Sequence, residues 1–398
     1  MGWNSYNPLG GMHGTPADAD PGLPGGVALC ERLILETADA LVDTGLRDAG
    51  YEYLNIDDRW QDPREPRGAD GRLRPDPRRF PRGIRPVADE VHGRGLKFGL
   101  YTVANVLACG GEEGDGPGGV PRTGSLGHEG LDAATFADWG VDFLKIDWCG
   151  ADSAGNRGRA AELFARWNRA IKMTGRPMVL SASTWGEEEE DTWAPELSHL
   201  WRTTGDLHPT WSSILSVAHA TASARWSGLC GPKRGWNDPD MLQVGHPALT
   251  YEEARTHMVL WAMLAAPLLA GNDVRRMPDA IHRLLLWREV IAIDQDPFPP
   301  AVLLTSDDGW DVWSRPLSDG TCATALVNRE DADRALPAEL NLPGLDRLGE
   351  GDRVRVPTHG VWLTVGPSIA ARACAAPLIV SGAPCSGLGL RAQNKEEQ

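Results

Sequence analysis

The sequence is poor in cysteine and has no long apolar run. Its seven cysteines are scattered over 398 residues without any Cys-x-x-Cys pair, which excludes a small disulfide scaffold. No stretch is long and apolar enough to span a bilayer, and no basic segment followed by an apolar one begins the chain as a secretory signal would. We therefore expect a cytoplasmic protein with no membrane partner, or a secreted one if a leader lies upstream of Met1.

Basic residues are outnumbered by acidic ones, with 39 Lys and Arg against 55 Asp and Glu, so the net charge is -16. Such a charge repels phosphate backbones and anionic lipid, which argues against nucleic acid as a partner. The glycine-rich segment 109–119 contains acidic residues and is not followed by Lys-Ser or Lys-Thr, so it does not predict a phosphate-binding loop. A neutral or cationic ligand suits this composition better.

The spacings of a histidine metal site are also absent. None of the histidines stands in a His-x-His or His-Glu-x-x-His pattern. We therefore predict no metal and no cofactor. An all-oxygen site for a hard cation is the alternative that the sequence leaves open.

The sequence does contain a repeated change in the spacing of its apolar residues. In some segments they recur every second residue, as in a strand, and in others about every 3.6 residues, as in a helix. About eight short strand patterns alternate with helical patterns over about 295 residues, which favours a closed (β/α)8 barrel over an open doubly wound sheet. The proline-rich segment 294–302 predicts a boundary. Beyond it, "GWDVWSRPL" and "TCATALVNRE" alternate like antiparallel strands. We predict a catalytic barrel over residues 1–297 and a small antiparallel β-sandwich over residues 298–398.

Polar side chains stand at the ends of the predicted barrel strands, where the active site of such a fold lies. Each aspartate taken alone could cap the following helix, but together they predict a ring of functional groups. Its members are Asp57, Asp58, Tyr101, Asp147, Ser183, Asp206, Asp238 and Asp240.

The stretch "LKIDWCG" places Lys145 and Asp147 on one face of a predicted strand. The pair is either a buried ion pair or an active-site wall. In the second case Lys145 lowers the pKa of Asp147 and keeps it ionised as a nucleophile requires. A second carboxylate, Asp206, would then serve as the acid of a glycoside hydrolase in a less polar setting. Metal-assisted hydrolysis is the other chemistry that an aspartate ring can support.

Several motifs in the same order resemble the family 27 glycoside hydrolases, which include α-galactosidases and α-N-acetylgalactosaminidases. They are "MGWNSYN", "YEYLNIDDRW", "LKFGLYT", "VDFLKIDWC", "WRTTGDL", "GWNDPDML", "APLLAGNDVR" and "VIAIDQDP". The resemblance covers about residues 1–330. It implies the barrel with a C-terminal β-sandwich, and double displacement with retention of configuration and without a metal.

The resemblance also implies a role for individual residues. Asp147 matches the family nucleophile and Asp206 the acid/base. The remaining matches bind the sugar: Asp57 and Asp58 at its 4- and 6-hydroxyls, Lys145 at its 3- and 4-hydroxyls, Arg202 and Asp240 near its 2-hydroxyl, and Tyr101 as a further site residue. Cys109 and Cys149 match a disulfide of the family, with two free thiols as the alternative in a reducing compartment.

The sequence departs from the family around the sugar. Tyr6 stands where a tryptophan is usual, and Ser183-Thr184-Trp185 replaces Cys-Glu-Trp, which removes a group that often lies near the 2-substituent. We count Tyr6, Ser183 and Trp185 as candidate sugar contacts. Arg59 replaces a cysteine, and an insertion follows the first strand.

These observations predict a retaining hydrolase that removes terminal α-D-galactosyl residues from oligo- or polysaccharides. A galactose-containing carbohydrate would be its substrate. Alternatives on the same scaffold are β-L-arabinopyranosidase and α-N-acetylgalactosaminidase. An alternative of another class is a sugar-binding protein without turnover, although binding alone does not require both carboxylates.

Overall fold

The computed structural model describes residues 1–9, 29–109, 123–152, 154–307 and 309–330, and the backbone of four short strands beyond them. The first eight strands lie side by side as parallel neighbours in the order β7-β6-β5-β4-β3-β2-β1-β8. They are β1 (Gly2–Asn4), β2 (Tyr53–Asn55), β3 (Lys97–Val103), β4 (Phe143–Asp147), β5 (Val179–Ser183), β6 (Leu200–Arg202), β7 (Trp236–Asp238) and β8 (Leu269–Ala270).

The sheet closes into a barrel just after β7. Leu242 forms a parallel bridge with Ala270 of β8, and its N–H donates to the carbonyl of Leu269 at 2.8 Å. The predicted (β/α)8 barrel is therefore confirmed, including the strand at each of the eight predicted positions. Nothing in the structure tests the division of the chain at residues 297 and 298, which stays a prediction.

Nine α-helices connect or follow the barrel strands within the described residues. They are α1 (Glu31–Asp43), α2 (Ile84–Gly93), α3 (Glu129–Asp138), α4 (Ala160–Met173), α5 (Glu190–Leu197), α6 (Trp211–Thr221), α7 (Tyr251–Met263), α8 (Asp279–Leu285) and α9 (Arg288–Asp294). In α1 an apolar stripe that includes Leu33, Ile34 and Leu41 is buried in the core. Each of these helices is too short or too polar to cross a bilayer.

An antiparallel sheet follows the barrel, as the alternating pattern predicts. Its strands are β9 (Val302–Asp307), β10 (Trp310–Pro316) and β11 (Cys322–Asn328), with β10 in the centre. Four short strands pair as two further antiparallel ribbons: β12 (Arg334–Ala335), β13 (Arg353–Val356), β14 (Val361–Thr364) and β15 (Arg372–Ala373). The predicted sandwich residues between and after them lie outside the described residues.

One buried arginine fastens this sheet to the barrel. Arg315 of β10 is fully buried. Its guanidinium donates to the carbonyls of Ala262 and Ile293, each at 2.6 Å, and of Asp296 and Phe298 at 2.9 and 3.1 Å. The planar fork of donors suits several carbonyls at once. Burial lowers the pKa of Arg315, but the guanidinium retains its charge because its ordinary pKa is so high.

We predict that Arg315→Met destabilises the protein by about 3 kcal/mol, because the buried carbonyls lose their donor. The free energy of unfolding in urea measures this. Arg32→Met is the control, since Arg32 is 63% exposed in its ion pair with Glu36 and such a pair contributes at most about 0.5 kcal/mol. Equal losses in the two variants would contradict the role of Arg315.

Candidate active site

A cavity of about 310 Å³ opens at the carboxyl ends of the barrel strands. The candidate site residues predicted from the sequence line it, except Ser183 and Asp238, which are buried at the ends of β5 and β7. The lining residues are Tyr6, Asn7, Asp57, Asp58, Arg59, Tyr101, Cys109, Lys145, Asp147, Cys149, Trp185, Arg202, Asp206, Leu207, Asp240 and Met241. Asn7, Leu207 and Met241 have no chemical signature of their own in the sequence, so only the fold places them here.

Strand register explains why the two central charges lie in this cavity. In the parallel pair β3–β4, Tyr101 lies beside Lys145 and Val103 beside Asp147. Lys145 and Asp147 are two residues apart and therefore point to the same face of β4. The stretch is therefore both a buried ion pair and a wall of the cavity, the two alternatives that the sequence left open.

Lys145 lies between two carboxylates. Its Nζ is 3.0 Å from Oδ2 of Asp57 and 3.9 Å from Oδ2 of Asp147. Burial alone would lower the pKa of Lys145, but the two carboxylates outweigh burial and raise it. Asn4 also donates to Oδ2 of Asp57 at 2.8 Å. The ammonium is therefore charged and held in place.

Lys145 lowers the pKa of Asp147 as expected, but the net pKa is raised, which corrects the expectation that this ion pair alone sets it. Burial is the largest cause, and the attraction of Lys145 only partly offsets it, since this ammonium lies closer to Asp57. The backbone N–H of Trp148 donates to Oδ1 of Asp147 at 2.8 Å. One carboxylate oxygen is thus fixed, and Oδ2 lies on the side of Lys145.

Asp206 shows the opposite shift from the one its proposed role suggested. Burial tends to raise its pKa, but Arg202 and Lys145 lower it below the ordinary value. Nη2 of Arg202 is 3.2 Å from Oδ1 of Asp206 and 3.3 Å from Oδ2 of Asp240. The side chain of Asp206 is still 39% exposed. This exposure and the neighbouring guanidinium make the setting of Asp206 polar, not apolar as expected.

A disulfide forms the rim next to Asp147. Cys109 and Cys149 are bonded, with their Cα atoms 5.2 Å apart. The hydroxyl of Tyr101 lies 3.2 Å from Sγ of Cys109, and that sulfur lies 3.7 Å from Oδ2 of Asp147. These two sulfurs and an oxygen of Asp147 lie within 4.8 Å of one another. The disulfide nevertheless removes the thiolates that a metal would need.

Ser183 does not reach the cavity. It lies beside Asp147 in the register of β4 and β5 and is fully buried, and its Oγ has no hydrogen-bond partner among the described residues. Trp185, two residues after Ser183, does line the cavity and has a left-handed backbone with φ of 61°. Such a conformation is strained for a bulky residue, so the turn after β5 needs support.

Glu190 supplies that support, and the sequence analysis missed it. The residue belongs to the acidic run "EEEED", yet it is fully buried while Glu187 is exposed. Its carboxyl oxygens accept from the N–H of Gly186 at 3.1 Å and of Thr184 at 3.5 Å, on either side of Trp185. Burial raises the pKa of Glu190 to about 8.

We predict that Glu190→Gln weakens the pH dependence of stability. Because the pKa is 4.5 ordinarily and about 8 in the folded protein, the folded state retains a proton that the unfolded state loses in this window. Stability therefore falls as pH rises through it. Calorimetry at about pH 5.5 and about pH 8.5 should show a smaller decrease of Tm in the variant than in the wild type. Glu187→Gln, at the exposed position, should keep the wild-type decrease, and an unchanged decrease in Glu190→Gln would contradict the assignment.

Comparison with known proteins agrees with this geometry. The Melibiase_2 family, described as Alpha galactosidase A, matches residues 12–296. An α-galactosidase of Cyamopsis tetragonoloba is 39% identical over 349 residues, which are 87% of this chain and 76% of that protein. Alpha-galactosidase A of Homo sapiens is 40% identical over 311 residues, covering 76% of this chain and 69% of that protein.

Solved structures show the same likeness. Alpha-galactosidase I from Mortierella vinacea superposes with a TM-score of 0.75 at 30% identity, over 92% of this chain and 91% of that one. A β-L-arabinopyranosidase from Geobacillus stearothermophilus has a TM-score of 0.67 at 23% identity over 84% and 85% of the two chains, which shows the shared fold alone. The chain belongs to the Alpha galactosidase A family and is a glycoside hydrolase.

Proposed function

We propose that this protein removes terminal α-D-galactosyl residues from oligo- or polysaccharides by double displacement with retention. The observation that carries the proposal is that Asp147 and Asp206 line the same cavity as a sugar-sized set of polar groups. Retaining hydrolysis needs two carboxyl groups about 5 to 5.5 Å apart, one to attack and one to donate a proton. The names of the relatives support galactose as the sugar.

The glycone binds where Asp57, Asp58 and Lys145 converge. Carboxylates accept hydrogen bonds from two neighbouring hydroxyls of a sugar, and an ammonium donates to a third. The Nζ of Lys145 already contacts Asp57 at 3.0 Å, so the anchor is preorganised before the sugar arrives. The rings of Tyr6 and Trp185 offer faces for the C–H surface of the sugar.

In the first step, Oδ2 of Asp147 attacks the anomeric carbon. The glycosidic C–O bond breaks, its electron pair goes to the departing oxygen, and Asp206 gives that oxygen a proton. In the second step, Asp206 takes a proton from water, and the water oxygen displaces Asp147 from the anomeric carbon. Each step inverts the configuration, so the product retains it.

Substrate binding brings Asp206 to the protonation state that the first step needs. Arg202 and Lys145 lower its pKa while its side chain is 39% exposed. A bound sugar covers this exposed side chain, and desolvation raises the pKa of a carboxyl group. Asp147, by contrast, is already buried and must be charged to attack. Lys145 stabilises that negative charge.

A panel of nitrophenyl glycosides tests the sugar specificity. We expect the α-galactoside to be cleaved at least about tenfold faster than the α-glucoside, whose 4-hydroxyl points away from the aspartate pair, a typical discrimination for one misplaced polar contact. Initial rates of nitrophenol release measure this. A faster reaction with the β-L-arabinopyranoside or the α-N-acetylgalactosaminide would replace galactose as the preferred sugar. No cleavage of any member, with binding of galactose, would show a sugar-binding protein.

Substitution of the two carboxylates tests their roles. Asp147→Asn should abolish turnover on every substrate, because no covalent intermediate can form. Asp206→Asn should slow disaccharides by about 100-fold or more and activated nitrophenyl galactosides much less, since the latter need little protonation. Added azide should rescue Asp206→Asn with an α-glycosyl azide as product, identified by NMR. A β-glycosyl azide from this variant would mean that the two roles are reversed.

A further inference from the structure

Both backbone groups of Leu207, the residue that follows Asp206, are held by side chains. The N–H of Leu207 donates to Oδ2 of Asp240 at 2.9 Å, and its carbonyl accepts from Nε2 of Gln243 at 3.0 Å. Asp206 itself lies four residues beyond Arg202 at the end of β6, in a segment without regular secondary structure. The hydrogen bonds of a helix or sheet therefore do not fix the backbone next to Asp206. The side chains of Asp240 and Gln243 fix it instead.

Gln243 is well placed for this role because its own side chain has both groups occupied. It is 1% exposed, and its Oε1 accepts from Nδ2 of Asn7 at 3.1 Å. Because the Leu207 carbonyl can only accept, the amide group of Gln243 must point its NH2 toward Leu207 and its oxygen toward Asn7. The residue thus links the segment of Asp206 to the segment after β1.

The backbone of Gln243 is fixed as well. Its N–H donates to Nε2 of His257 at 2.9 Å. Burial lowers the pKa of His257 to about 3, so this imidazole is neutral and accepts at any pH near neutrality. The His257 ring also packs edge-on against Trp261, with the ring centres 4.0 Å apart. Gln243 therefore has little freedom to follow a movement of Leu207.

We propose that Gln243 is a positioning residue for the general acid: by holding the Leu207 carbonyl, it orients Asp206 toward the departing oxygen. This inference rests on the proposed function, in which Asp206 donates the proton. Asp240 alone does not suffice, because it holds only the N–H of Leu207 and not the following peptide group, to which the Leu207 carbonyl belongs. Gln243 does not line the cavity, so it acts on the reaction through neighbours that do, and only its contact with the Asp206 segment makes the effect depend on the leaving group.

The test compares leaving groups. In Gln243→Met, which removes the amide but keeps a similar volume, kcat/KM should fall about 10- to 100-fold for an α-galactosyl disaccharide, as a displacement of about 1 Å can cause. For 4-nitrophenyl α-galactoside the decrease should stay under about threefold, because this leaving group needs little protonation. Gln243→Ala should show the same difference between the substrates and serves if the first variant does not fold.

Asn237 offers a matched control. Its buried amide also donates to a carbonyl, that of Trp226 at 3.2 Å, and accepts from Nε1 of Trp201 at 2.8 Å. Like Gln243, it does not line the cavity, but it has no contact with the Asp206 segment among these hydrogen bonds. Asn237→Leu should lower Tm as much as Gln243→Met does and leave the ratio of the two kcat/KM values at the wild-type level. Thermal unfolding and the ratio are measured on the same samples.

The outcomes separate the inference from the function on which it rests. If the wild type cleaves both substrates and the Gln243 variants keep its ratio, the positioning role is overturned and the proposed function is unaffected. An equal change of ratio in Asn237→Leu, or failure of both Gln243 variants to fold, also overturns it, because Gln243 is then a structural residue only. A wild type that cleaves neither substrate overturns the proposed function, and the inference with it.

Discussion

The aspartates at the mouth of this barrel can be buried together because Lys145 and Arg202 lie between them. Lys145 joins Asp57 to Asp147, and Arg202 joins Asp206 to Asp240. Carboxylates buried without cations would be protonated or would destabilise the fold. Each cation thus organises one half of the cavity, and in the proposed mechanism the sugar binds across both halves.

The two halves differ in how firmly their carboxylates are held. Asp147 is part of β4, so the register of a closed sheet sets its position and burial sets its pKa. Asp206 follows β6 in an irregular segment, remains partly exposed, and depends on side chains for its orientation. In the proposed mechanism the strand holds the nucleophile against one carbon, while side chains orient the acid, which serves two different oxygens in the two steps.

Much of this arrangement follows from patterns that are local in the sequence. The changing spacing of apolar residues predicted about eight barrel strands, and the structure has eight. The two-residue spacing of Lys145 and Asp147 placed both on one face of β4. Aspartates at strand ends meet in a barrel because its parallel strands all end at one face. Ser183 and Asp238 are exceptions: both stand at a strand end as predicted, but both are buried and neither lines the cavity.

By itself, then, the sequence determined the barrel, the antiparallel sheet beyond it and the aspartates that surround the cavity, because periodicity and strand ends are properties of short segments. Only the tertiary structure decided the direction of each pKa shift, since burial and the nearest cation depend on residues far apart in the chain. The same holds for Glu190 and Gln243. One lies in an acidic run that suggests a solvated surface, the other has no motif, and their importance comes entirely from the backbone groups that folding brings to them.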